Sequence, residues 1–165
     1  MPSEVRWVRP ENIHLTLKFL GNIEPESVQP LSEVVDRCVA SITPFDLYIE
    51  ELGAFPALNS PKAIWVGLGG QLHILRDLQL SLDEQLVELG YDKEIKYFIP
   101  HLTIGRTKNG MHLAGRKKIG LALSTASVEI GASLPVKSLS LLQTTLTPLG
   151  SIYTQLFSTS MKHRA

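Results

Sequence analysis

At 165 residues, 44% hydrophobic and 19% charged, the chain has the make-up of one folded domain, or of two small lobes on a shared core, and not of a disordered tail. No apolar run approaches a bilayer span, the amino terminus lacks the basic and apolar segments of a secretory signal, and Cys38 is the only cysteine. No membrane span, no intrachain disulfide and a cytoplasmic address are therefore expected. The net charge of zero hides a division: residues 1–94 hold 7 Lys and Arg against 15 Asp and Glu, whereas residues 95–165 hold 9 against 1. Either the halves pair with each other, or the basic half, with Lys96, Arg106, Lys108, Arg116, Lys117 and Lys118, draws an anionic ligand. Overall neutrality favours contact with a few phosphates over a long duplex footprint.

In chain order, Glu4 to Val8 reads as a short strand and Ile13 to Leu20 as a second. From Glu24 the spacing of Val28, Leu31, Val34, Val35, Cys38 and Val39 is helical, with Pro25 tolerated in the first turn and Pro30 delaying regular helix. Cys38 falls on the apolar face, which predicts a buried, reduced thiol. Phe45 to Glu51 alternates like a half-buried strand, a Pro-rich loop follows over 53–61, and Ala63 to Leu68 is a more apolar strand. Leu72, Leu75, Leu78, Leu82, Leu86 and Leu89 mark one face of a long helix, with Gly90 where a C-terminal cap belongs. Lys96 to Arg106 predicts a strand. A helix between about Leu113 and Ser127 is weakened by two glycines, Gly115 and Gly120, and a Ser-Thr run, and Val136 to Thr144 with Ser151 to Thr159 forms a hairpin. This order predicts an α+β fold with mostly antiparallel pairing.

One phrase occurs twice: His14-Leu15-Thr16-Leu17 and His101-Leu102-Thr103-Ile104. In a strand each copy sets an imidazole and a hydroxyl on one pleat face and aliphatics on the other. A single His-x-Thr is more often structural than catalytic. Two copies among five histidines and ten threonines favour function, because together they supply a general base, a general acid and two hydroxyl donors. That inventory suits attack of water on a phosphodiester without a metal. Imidazole titrates near neutrality, so one ring neutral and one protonated predicts a bell-shaped pH profile.

Over Arg6-Trp7-Val8-Arg9-Pro10-Glu11-Asn12-Ile13-His14-Leu15-Thr16-Leu17-Lys18-Phe19-Leu20-Gly21, and again over Ile99-Pro100-His101-Leu102-Thr103-Ile104-Gly105-Arg106, the chain resembles the two-histidine phosphoesterases. The branch it is most similar to is that of the RNA 2',3'-cyclic phosphodiesterases, also called 2'-5' RNA ligases (LigT-like). The resemblance implies a single domain over residues 1–165 built as two interleaved lobes, with two pseudo-symmetric, mostly antiparallel sheets flanking a cleft and helices outside. It implies metal-independent and cofactor-free hydrolysis of RNA 2',3'-cyclic phosphate ends, on tRNA-like or short oligoribonucleotides, to 2'-phosphomonoesters. His14 and His101 divide the acid and base roles, Thr16 and Thr103 hold non-bridging oxygens, and Arg106 contacts phosphate. By the same analogy His101 activates water and His14 protonates the departing 3' oxygen. Members of the family begin with a further strand and helix, and this chain starts almost at Arg6. The reading therefore expects an exposed edge in the first lobe and, with it, lower stability or self-association.

Other features carry less. His73, His112 and His163 read as surface residues, with no spacing that suits a metal. Trp65 and Phe98 read as core, while Trp7, Phe19 and Tyr153 are left between core and base stacking. Gly67-Leu68-Gly69-Gly70 lacks the Lys and Ser or Thr of a phosphate loop. Alternatives to the cyclic phosphodiesterase are 2'-5' ligation, a phosphodiesterase for 2'-5' oligonucleotides or cyclic nucleotides, and a binding module without turnover.

Overall fold

The computed structural model describes residues 4–147 and 150–162; His163, and Pro148 and Leu149 of the expected hairpin turn, lie outside them. The strands are β1 (Val5–Trp7), β2 (Phe45–Phe55), β3 (Ala63–Gly70), β4 (His101–Thr107), β5 (Ser133–Val136), β6 (Ser138–Thr147) and β7 (Gly150–Ser160). The helices are α1 (Val28–Val39), α2 (Leu72–Glu88) and α3 (Leu113–Thr125). Strands β1-β4-β3-β2-β5 form one sheet in that order, and β6-β7 a second. The pairs β1–β4, β2–β3, β3–β4 and β6–β7 are all antiparallel, as the α+β expectation requires.

By internal contacts the chain divides into two interleaved units. The first takes in the residues up to Thr16, then Leu47–Gly70 and Ile99–Leu134. Its core forms where α3 lies on one face of the five-stranded sheet: Val5, Ile64 and Ile119 are buried together, with Leu52, Ile104, Met111 and Leu123 packed around them. Gly120 is what lets α3 settle, since a Cβ there would stand 1.7 Å from the Leu58 carbonyl oxygen.

The second unit comprises Leu17–Asp46, Gln71–Phe98 and the chain from Pro135 on. Here α1 packs on α2 and on both strands of the β6-β7 hairpin. Pro30 sits in the first turn of α1, where its missing N–H costs nothing, so the helix is regular from Val28. The leucine stripe is core at Leu75, Leu78, Leu82 and Leu86 but ends there, because Leu89 is exposed. Gly90, at φ +88°, closes α2: its N–H donates to the Val87 carbonyl and that of Tyr91 to the Leu86 carbonyl, the paired bonds of a Schellman cap. Cys38 is buried, and burial raises its thiol pKa.

Asp83, on the same stripe, is a buried carboxylate that the apolar pattern conceals. It accepts from Lys18 Nζ and from the Glu94 N–H, and Lys18 also donates to the Asp92 carbonyl. The side chains of the ion pair are only 7% and 3% exposed.

Three expected elements differ. Ile13 to Leu20 is no strand; only Leu15 pairs, as an isolated antiparallel bridge with Leu102. The second motif strand starts at His101 and not at Lys96: the Pro100 carbonyl accepts from the Leu68 N–H of β3, but Pro100 has no N–H to return, which ends the β3–β4 ladder there. The alternation of Phe45 to Glu51 continues to Phe55 through a register shift after Ile49.

Candidate functional site

All five expected site residues, His14, Thr16, His101, Thr103 and Arg106, fall in the first unit. The pairing register sets out how they share a face. Residues directly opposite across antiparallel strands point to the same side. Ala63, Trp65 and Gly67 alternate along β3 and pair with Arg106, Thr103 and His101 respectively. Leu15 pairs with Leu102, whose side chain points away from that face, so its neighbours His14 and Thr16 point toward it. Continuing the bridge register by one residue sets His14 beside Thr103 and Thr16 beside His101. The two imidazoles are then diagonal neighbours, with Cα atoms roughly 7–8 Å apart.

Arg106 reaches this face only because of a bulge. It lies an odd number of residues from both His101 and Thr103, and in a regular strand it would point the other way. Between Ile64 and Trp65 of β3 the register jumps from Gly105 to Thr103, so Ile104 is an extra residue. Ile104 turns into the α3-side core, the alternation resets, and Arg106 joins the histidines. Gly105 leaves space on the far side, where a Cβ would lie 3.0 Å from the Trp7 ring and 3.1 Å from Val5.

The two histidines are held alike. His14 Nδ1 lies 2.8 Å from the Asn12 carbonyl and His101 Nδ1 lies 2.7 Å from the Ile99 carbonyl, each two residues upstream. A carbonyl oxygen can only accept, so each Nδ1 carries a hydrogen in either charge state, and the proton that comes and goes is the one on Nε2. For His14 the turn is set by the 3₁₀ segment Pro10–Asn12. For His101 it follows from Pro100, whose carbonyl accepts from the Leu68 N–H.

Phe55 and Trp65 wall His101, with ring centroids 4.9 and 6.0 Å from the imidazole. Trp65 is buried, as expected of a core residue, yet it lies on the histidine face across Gly53, where a Cβ would come within 2.3 Å of the indole. Its Nε1 has no hydrogen-bond partner among the described residues. Arg6, directly opposite Arg106, shares the face as well. Arg6 and Phe55 are not legible from residue spacing, because it is strand register that brings them to this face.

Arg116, Lys117 and Lys118, grouped in sequence with the second motif, do not join it. They ride on α3, whose Ile119 packs with Val5 and Ile64 on the opposite face. His73 and His112 are exposed, and Phe98 is half-buried, not core. Trp7 and Phe19 are 56% and 81% exposed. Among the described residues no three His, Cys, Asp or Glu side chains gather as a metal site would require, and no helix is long and apolar enough to cross a membrane.

Comparison with known proteins gives a consistent result. Residues 2–65 match the family described as LigT like phosphoesterase. An RNA 2',3'-cyclic phosphodiesterase of Methanothermobacter thermautotrophicus is 36% identical over 155 residues, which is 93% of this chain and 81% of that protein. One of Aeropyrum pernix is 34% identical over 93% of this chain and 84% of its own length. Among solved structures, E. coli LigT complexed with 3'-AMP superposes with a TM-score of 0.74 at 23% identity, over 99% of this chain and 84% of that one. A protein of Thermus thermophilus gives 0.75 at 24% identity, over 96% and 83%.

Proposed function

The chain belongs to the LigT-like phosphoesterase family, and from that premise we propose that it hydrolyses RNA 2',3'-cyclic phosphate ends to 2'-phosphomonoesters, with His14 and His101 exchanging protons and Thr16, Thr103 and Arg106 binding phosphate. The observation that carries this reading is the Leu15–Leu102 bridge, whose register puts both imidazole-hydroxyl pairs on one face. The names of the relatives support the substrate class, and the whole chain acts as one such domain.

The chemistry follows from the residues. A neutral imidazole, its Nδ1–H spent on a backbone carbonyl, offers the Nε2 lone pair to water. As the water oxygen bonds to phosphorus, its proton passes to that nitrogen, the phosphorus–O3' bond breaks, and O3' takes the proton from Nε2–H of the other ring. The product keeps phosphate on O2'. By analogy with the family His101 is the base and His14 the acid; turnover returns each ring to its starting state by proton exchange with water. Negative charge builds on the non-bridging oxygens in the transition state, where two hydroxyls and a guanidinium favour it over the ground state. None of these steps calls on a cofactor. A cytoplasmic address belongs to the same proposal, supported by the free, buried Cys38.

The test is product analysis. An oligoribonucleotide ending in 2',3'-cyclic phosphate, incubated with the protein in chelator, is expected to yield a 2'-phosphate end. A 3'-phosphate end, or an unchanged substrate, would refute the assignment.

A further inference from the structure

Arg6 and Arg106 are direct cross-strand partners, and both are exposed. The flanking bonds from Lys108 N–H to the Glu4 carbonyl and from Val8 N–H to the Ile104 carbonyl make theirs a hydrogen-bonded position, with Cα atoms about 5.5 Å apart. Like charges set opposite each other are unfavourable. Among the described residues neither guanidinium has an ion-paired or hydrogen-bonded partner, so nothing in the described chain relieves the repulsion. An anion between them would, and two planar donor forks are suited to a phosphate.

The position of this pair narrows the choice of anion. The bulge at Ile104 turns Arg106 onto the histidine face, and Arg6 follows by pairing. Along β4 the arginine row lies beyond Thr103 and His14, some 7–10 Å from them at strand rise. That span matches the backbone reach of one nucleotide. Resting on the activity proposed above, we infer that Arg6 binds the phosphodiester on the 5' side of the terminal nucleotide, with Arg106 standing between that phosphate and the reacting one, so that the enzyme prefers an RNA chain end to a nucleoside cyclic phosphate. Arg6 is then a specificity residue: it touches a phosphate that does not react.

The experiment compares kcat/KM for a nucleoside 2',3'-cyclic phosphate bearing a 5'-hydroxyl with that for a dinucleotide ending in the same group. Wild-type protein is expected to favour the dinucleotide. Arg6→Gln should lower the dinucleotide-to-mononucleotide ratio about tenfold, the loss of one charge-assisted contact at an exposed site. Arg6→Lys, which keeps the charge without the fork, should restore part of it. A ratio unchanged in Arg6→Gln, or both substrates failing together, would overturn the inference. If wild-type protein turns over neither substrate, the activity proposal itself fails. Equilibrium binding of a nucleoside 2'-phosphate with and without a 5'-phosphate, to wild type and Arg6→Gln, then decides the role of Arg6: a 5'-phosphate preference that the variant loses supports it, and equal preferences contradict it.

Discussion

Replacing Asp83 by Ala removes the carboxylate that accepts from Lys18 and from the Glu94 N–H. It leaves an ammonium whose side chain is only 7% exposed. Breaking a buried ion pair from one side costs about 3–5 kcal/mol. The low end applies, because Lys18 keeps its bond to the Asp92 carbonyl. With a urea m-value of roughly 1–3 kcal/mol/M, a loss of about 3 kcal/mol lowers the denaturation midpoint by about 1–3 M. The double variant Lys18→Met with Asp83→Leu should recover most of this, leaving about 1 kcal/mol for the unpaired Glu94 amide. The pH dependence has a definite sign. Burial, the largest single influence, pushes the Asp83 carboxyl up, but the Lys18 ammonium, the Glu94 N–H and the nearby Lys93 charge together hold it below the usual carboxylate range. A depressed carboxyl binds its proton more weakly in the folded state. Its contribution is therefore complete above the unfolded value, near pH 4, and is lost as pH falls through the folded one. The gap in stability between wild type and Asp83→Ala should accordingly narrow in acid. Urea melts at pH 7 and at progressively lower pH test this. A single variant as stable as wild type, a double variant no better than the single, or a gap that widens in acid would refute the reasoning.

Turnover measured against pH should give a bell, since one imidazole must be neutral while the other is protonated; a profile that only rises or only falls would count against paired histidines. Thr16→Val and Thr103→Val should each lower kcat by roughly 10–100-fold with small changes in KM, because one transition-state donor is lost; steady-state kinetics on the dinucleotide substrate check this. Deleting Ile104 removes the extra residue but leaves Arg106 on the histidine face, since Thr103, Gly105 and Arg106 then alternate regularly against β3; the α3-side core loses an apolar side chain, so thermal melts should show lower stability while kcat falls less than in Arg106→Ala. Gly90→Ala forces a side chain to φ +88° and should cost about 1 kcal/mol, read from thermal melts, without altering kcat.

The paired His-x-Thr phrases were legible because they are residue types at a fixed spacing, and the α2 stripe and its Gly90 cap because helical periodicity and a positive φ leave marks on a single segment. What the chain concealed depends on partners far away in sequence. Ile13 to Leu20 has a strand's alternation, yet strand formation needs a neighbour, and only Leu15 finds one, in Leu102. Arg106 carries an unfavourable parity that only a bulge against β3 corrects. Arg6 looked like one basic residue in a short strand until its register with β4 was known. Asp83 sat within a leucine pattern whose polar exception makes sense only beside Lys18, 65 positions earlier. The basic residues of α3 misled for the complementary reason: close to His101 along the chain, they are separated from it by the thickness of a sheet.

Histidine-selective nitrogen NMR puts the central claim to its most direct trial, because it reads tautomer and ligand contact on each ring separately. With a nucleoside 2'-phosphate added stepwise, His14 and His101 should both carry hydrogen on Nδ1 before and after binding, and both Nε2 resonances should shift with the same saturation curve. A ring protonated only at Nε2, or a titration that moves one histidine and leaves the other untouched, would contradict two imidazoles acting on a single phosphate.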